Sequence, residues 1–238
     1  MTTLDRTART TGALYLTLGL SGILGFLLVR SRLFDPDNPA ATLTALVDHE
    51  ALAHAGVALE LLTVLAQALA ALWFFRLFRS ADAFAAGAIA VFGTVNAVAI
   101  LGSASLLATA VAVADDAGLA PAGDQEATVQ LLYVMSDNLW GAGGLFFGLW
   151  LIPMGWVVLR SAWMPAGLGR VLVVGGCGYV LSTFVTALVP DVGGWVDLLV
   201  VPATIGEFWM IGYLLVRGVR PLAGASSGVS IPAPSTAP

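Results

Sequence analysis

Lysine is absent from this chain, cysteine occurs once and histidine only twice. Charged residues make up 11% of its 238 residues, less than half the roughly 25% usual in soluble domains. So few charges cannot cover a water-exposed surface, and 58% of the residues are hydrophobic. The composition is that of a multi-pass membrane protein in contact with the lipid bilayer. The lone Cys177 excludes an intrachain disulfide and a cysteine-based metal cluster. All ten basic residues are arginine, which reads as coding bias, and the net charge of −5 is spread over loops. No basic face points to nucleic acid. A phosphate loop, a dinucleotide fingerprint and a nucleophile elbow are all missing. The sequence therefore names no reaction and no nucleotide cofactor.

What is present is a series of apolar stretches, each close to or longer than the ~20 residues that cross a bilayer as a helix. They cover about 10–29, 51–75, 83–114, 127–159, 171–189 and 197–216. The expected fold class is all-α: one integral membrane bundle of six transmembrane helices over residues 1–220. The tail 221–238 is uncharged and rich in Ser, Ala, Pro and Gly, the composition of a disordered segment. Arg6 and Arg9 ahead of the first run imitate a signal peptide. That run is longer than a signal core and no clear small-residue cleavage site follows it, so it reads as the first span.

Loop charges give an orientation. Arg6 and Arg9, Arg76 and Arg79, Arg160 and Arg170, and Arg217 and Arg220 flank alternate ends of the spans, eight of the ten arginines in all. The other loops carry Asp35, Asp37, Asp48 and Glu50, then Asp115, Asp116, Asp124 and Glu126, then Asp191. The positive-inside rule then places both termini in the cytoplasm, and the expected location is the plasma membrane. In the first outer loop, Asn38 before Pro39 predicts a capped helix start.

Three carboxylates fall inside apolar stretches: Glu60, Asp137 and Glu207. A charge at the bilayer centre costs several kcal/mol unless compensated, which makes each a candidate for function. All three sit on spans of the same direction, about 15–17 Å from the outer end at 1.5 Å per residue. Equal depth on three parallel helices allows them to converge. Gly56, Thr63 and Gln67 share the face of Glu60, and Tyr133, Gly141 and Gly144 that of Asp137. Asn96 and Ser103 share a face of the third span, and Tyr179 brings a hydroxyl from the fifth. Pro202 predicts a kink just outside Glu207, with the carbonyl of Leu198 freed.

Arg30 and Arg32 break the charge rule on the outer side. Pairing in solvent with the loop acids accounts for both. Alternatively Arg30 reaches inward to neutralise a site carboxylate, or binds an anionic headgroup. His49 and His54 flank a helix turn in the manner of a zinc protease motif, but they are five apart and not four, so they leave one face. His54 with Glu60, Asp137 and Glu207 still forms an oxygen-rich set for a divalent metal.

Three functions follow from these residues. In the first, an acid-lined cavity binds or transports a cation, a proton or a small polar or lipid ligand. In the second, a metal on Glu60, Asp137, Glu207 and His54 activates water for lipid hydrolysis or transfer. In the third, the acids only lock neighbouring helices together, or the bundle binds a partner.

Several soft motifs occur in a specific order. Ala-Arg-Thr-Thr-Gly-Ala-Leu-Tyr-Leu starts at Ala8 and Val-Arg-Ser-Arg-Leu at Val29. Leu-Phe-Phe-Gly-Leu-Trp-Leu-Ile-Pro-Met-Gly starts at Leu145, followed by Leu-Arg-Ser at Leu159 and Met-Pro-Ala-Gly-Leu-Gly at Met164. Pro-Ala-Thr-Ile-Gly-Glu-Phe-Trp closes the series from Pro202. In this order they resemble the bacterial membrane family called domain of unknown function 4386, over roughly residues 8–220. The resemblance implies a multi-pass inner-membrane protein with acids at positions such as Asp137 and Glu207, and it brings no activity.

Overall fold

In hydrocarbon a backbone must satisfy its own N–H and C=O groups, which long Ala-, Leu- and Val-rich runs do by forming helices. The computed structural model describes residues 3–189 and 193–219. Asp191, Arg220 and the tail 221–238, which carry parts of the charge and disorder readings, lie outside the described residues.

Six helices are long and apolar enough to cross a membrane: α1 (Thr3–Leu33), α3 (Glu50–Phe78), α4 (Ala83–Asp115), α5 (Gln125–Ser161), α6 (Ala166–Leu188) and α7 (Gly194–Val216). Between α1 and α3 lies the short α2 (Pro39–Asp48). The Asn38 side chain accepts a hydrogen bond from the Ala41 N–H at 3.1 Å, with Pro39 opening the helix. The predicted cap is therefore formed. Gln130 Nε2 ties this loop to α5 by donating to the carbonyls of Asp35 and Pro36.

The spanning helices close into a ring in chain order. Each packs on its sequence neighbours, and α7 returns to α1. Six spans put the start of α1 and the end of α7 on one face of the bundle, here the terminal face. The opposite face carries α2.

Two helices depart from the sequence expectation. α1 extends through Leu33, and Ile23–Arg30 within it is π-helical. Arg30 thus lies inside the helix, where a continuous α-helix ending at Val29 would have left it in the loop. In α7, Gly194–Leu199 is a 3-10 turn and the α-helix proper begins at Val201 with Pro202 in its first turn. Pro202 therefore starts a helix instead of kinking one. Its missing N–H is harmless there because first-turn N–H groups have no partner within the helix.

Two apolar layers pack the ring. Nearer the terminal face, Tyr15, Phe74 and Trp150 make a fully buried aromatic cluster with three mutual edge contacts at 5.4–5.5 Å. Gly93 makes room for it, since a Cβ there would lie 2.5 Å from the Trp150 ring. Near the opposite face, Val29, Leu46, Ala53, Val111 and Tyr133 form the second layer. The polar residues lie between the two.

Candidate functional site

Arg30 is the centre of the polar layer. It is 6% exposed, and its guanidinium reaches Asp137 Oδ1 at 3.0 Å and Glu60 Oε1 at 3.3 Å. It also donates to Ser136 Oγ. Ser103 Oγ donates to Glu60 Oε2 at 2.9 Å and Trp140 Nε1 to Glu60 Oε1 at 3.1 Å. The Phe26 ring lies under the guanidinium, 5.1 Å away. Four helices meet in this network: α1, α3, α4 and α5. Glu60 is only 3% exposed, whereas the Asp137 side chain is 55% exposed and faces outward from the cluster. The inward reading of Arg30 is the one the geometry realises, because the π-helical stretch carries its side chain between α3 and α5.

Glu207 is elsewhere. Its Oε1 accepts a 2.6 Å hydrogen bond from the Tyr15 hydroxyl, and among the described residues no cation lies within ion-pair distance of it. The expected equal depth does not hold: Glu207 meets Tyr15 in the layer nearer the terminal face, whereas Glu60 meets Arg30 several turns further along α1. α1 stands between α3 and α7, and it offers Arg30 to one neighbour and Tyr15 to the other.

Glu207 faces a cavity of about 390 Å³ to which all six spanning helices contribute. That is a usual size for a small-molecule site. Its walls are largely apolar, with Leu18, Ile100 and Phe147 among them, and Thr63, Asn96, Tyr179, Thr204 and Glu207 are among its polar lining residues. Gln67 is completely buried, and neither its amide nitrogen nor its oxygen has a partner. The aromatic cluster closes the cavity toward the terminal face. On the other side lies a vestibule of about 620 Å³ between α5, α6 and α7, which exposes Asp137, Ser182, Thr186 and Asp197. Trp140, Gly144 and Tyr179 line both spaces and form the partition between them.

The set of Glu60, Asp137, Glu207 and His54 is not assembled as one metal site. Arg30 sits between Glu60 and Asp137, and Glu207 bonds to Tyr15. His54 is exposed and faces Glu50 at 3.7 Å. With Glu50 and Asp115 it forms an exposed group whose ligand atoms lie within 4.8 Å of one another. Asn96 and Tyr179 line the cavity that Glu207 faces, and Glu60 is not among its lining residues. Sequence reasoning missed Tyr15, Ser136 and Trp140. A tyrosine on the face of Gly12, Gly19 and Gly22 was the available signal for the first. No pattern marked the other two beyond their nearness to Asp137.

No curated protein and no solved structure matches the chain. One family model does, over residues 10–218, which is nearly the whole described bundle. This six-span membrane protein belongs to the family described as Domain of unknown function (DUF4386).

Proposed function

We propose that this protein binds a small organic cation in the central cavity, its ammonium group facing Glu207, and that the cavity opens toward the outer face of the plasma membrane. The observation that carries this reading is the setting of Glu207: a carboxyl group inside a largely apolar cavity, bonded to one phenol and, among the described residues, to no cation. Desolvating a carboxylate costs several kcal/mol, and a hydrogen bond to a charged group returns only about 1.5–3. An ammonium would return more. The apolar walls favour a hydrocarbon body behind the charge.

The outward direction rests on the arginine distribution, which assigns the terminal face to the cytoplasm. The aromatic layer would then seal the cytoplasmic side, and Asp137 and Asp197 would draw cations into an outer vestibule. Transport would require that seal to open in a second conformation.

Binding of butylammonium to the purified protein in nanodiscs tests the reading. The wild type should bind, and Glu207→Gln, which keeps the acceptor for Tyr15 and removes the charge, should weaken binding by about tenfold or more. Equal binding by both proteins would refute it.

A further inference from the structure

We propose that the cavity is loaded from within the bilayer, through a gap between α1 and α7, by a single-chain alkylammonium amphiphile. This rests on the ammonium reading above and adds, beside the vestibule open to small soluble amines, a second and lateral path for long-chain ones.

The seam between the first and last helices is tight near the terminal face and open above it. At Gly12 a Cβ would lie 3.0 Å from Leu214 and 3.1 Å from Leu215, so the two backbones approach closely there. At Gly19 the nearest atom is Ile211, at 4.0 Å, and at Gly22 nothing lies within 4 Å. Beyond Gly22 comes the π-helical stretch Ile23–Arg30, which packs mainly on α3 and has at most a marginal contact with α7. The helix ring is thus interrupted at the height of the cavity.

The side chains along the interruption belong to both the inside and the outside. Leu27 of α1 and Phe208 of α7 line the cavity, yet they are 58% and 49% exposed. Side chains that do both mark an opening. At mid-depth the medium beyond it is hydrocarbon, so the opening admits acyl chains in preference to solvated ions. The alternative path from the vestibule passes Trp140, which is held by its bond to Glu60. An alkylammonium fits both ends of the lateral path: its head meets the uncompensated Glu207 and its chain lies out through the gap among lipid tails. Charge complementarity selects this occupant over a fatty acid, whose carboxylate would face Glu207.

Radiolabelled dodecylamine and butylamine, measured on protein in nanodiscs against empty nanodiscs, test the path. The wild type should hold dodecylamine about tenfold more tightly than butylamine, with dodecanoate failing to compete. Gly22→Trp, which projects a ring into the gap, should weaken dodecylamine binding about tenfold more than butylamine binding. Leu27→Trp places a ring at an already exposed position and repeats the test should the first variant not fold. Dodecylamine binding that both tryptophan variants leave intact but Glu207→Gln abolishes would overturn the lateral path and leave the ammonium reading standing. Binding of both amines that survives Glu207→Gln would overturn the two together.

Discussion

Replacing Arg30 by leucine strands Glu60. The guanidinium is the only cation near this carboxylate among the described residues, and both groups are almost completely buried. Removing one partner of such a pair leaves an uncompensated buried charge, at a cost of about 3–5 kcal/mol. Asp137 adds little, because an ion pair with a half-exposed partner contributes about 0–1 kcal/mol. For a chain of this size each kcal/mol lowers the midpoint of thermal unfolding by about 2–4 °C. A drop of about 6–20 °C is therefore expected, read by fluorescence-detected size exclusion after heating in detergent.

The control is the double variant Arg30→Leu with Glu60→Gln. Glutamine keeps a carbonyl for the Trp140 indole and removes the charge, so most of the loss should be recovered. Arg30→Lys should fall between, since one ammonium cannot reach Glu60, Asp137 and Ser136 as a planar fork does. An Arg30→Leu protein that melts within about 2 °C of the wild type would refute the reasoning. So would a double variant no more stable than the single.

Gly178 packs against the backbone of α7, where a Cβ would lie 2.0 Å from the Leu199 carbonyl oxygen. Gly178→Ala should lower the melting midpoint through about 1–3 kcal/mol of overpacking, whereas Gly87→Ala, with no neighbour within 4 Å, should leave it unchanged or raise it. The orientation is checked by fusing reporters after Pro238: green fluorescent protein should fluoresce and alkaline phosphatase should stay inactive, and the reverse pattern would turn the proposed cavity toward the cytoplasm.

The six helices were legible because hydropathy is a property of each segment alone. So was the Asn38 cap, which needs only Asn38, Pro39 and the next turn. Charge placement was also informative: Arg30, on the wrong side by the loop rule, is the residue the bundle draws inward. The grouping of the acids was not legible. Counting residues gave equal depths, but Glu207 lies at the level of Tyr15 and Glu60 at that of Arg30, and neither the level at which each helix sits nor the order of the ring is fixed by anything local in the sequence. The π-helical stretch was invisible for a related reason. Ile23–Val29 is ordinary apolar sequence, and nothing in it marks a wider turn.

The two buried acids on either side of α1 separate support from function. Glu60 is met by a guanidinium, a hydroxyl and an indole, so each of its oxygens has a partner and loss of the guanidinium should register as instability. Glu207 has a single phenol and an open cavity in front of it. A carboxylate serving only to join helices gains from further donors, and the cavity supplies none that is fixed. On the proposed reading, its remaining interaction energy is what the ammonium group would use. In this bundle the charged cluster at Arg30 holds four helices in register, and that register is what keeps the cavity between Glu207 and Gln67 open.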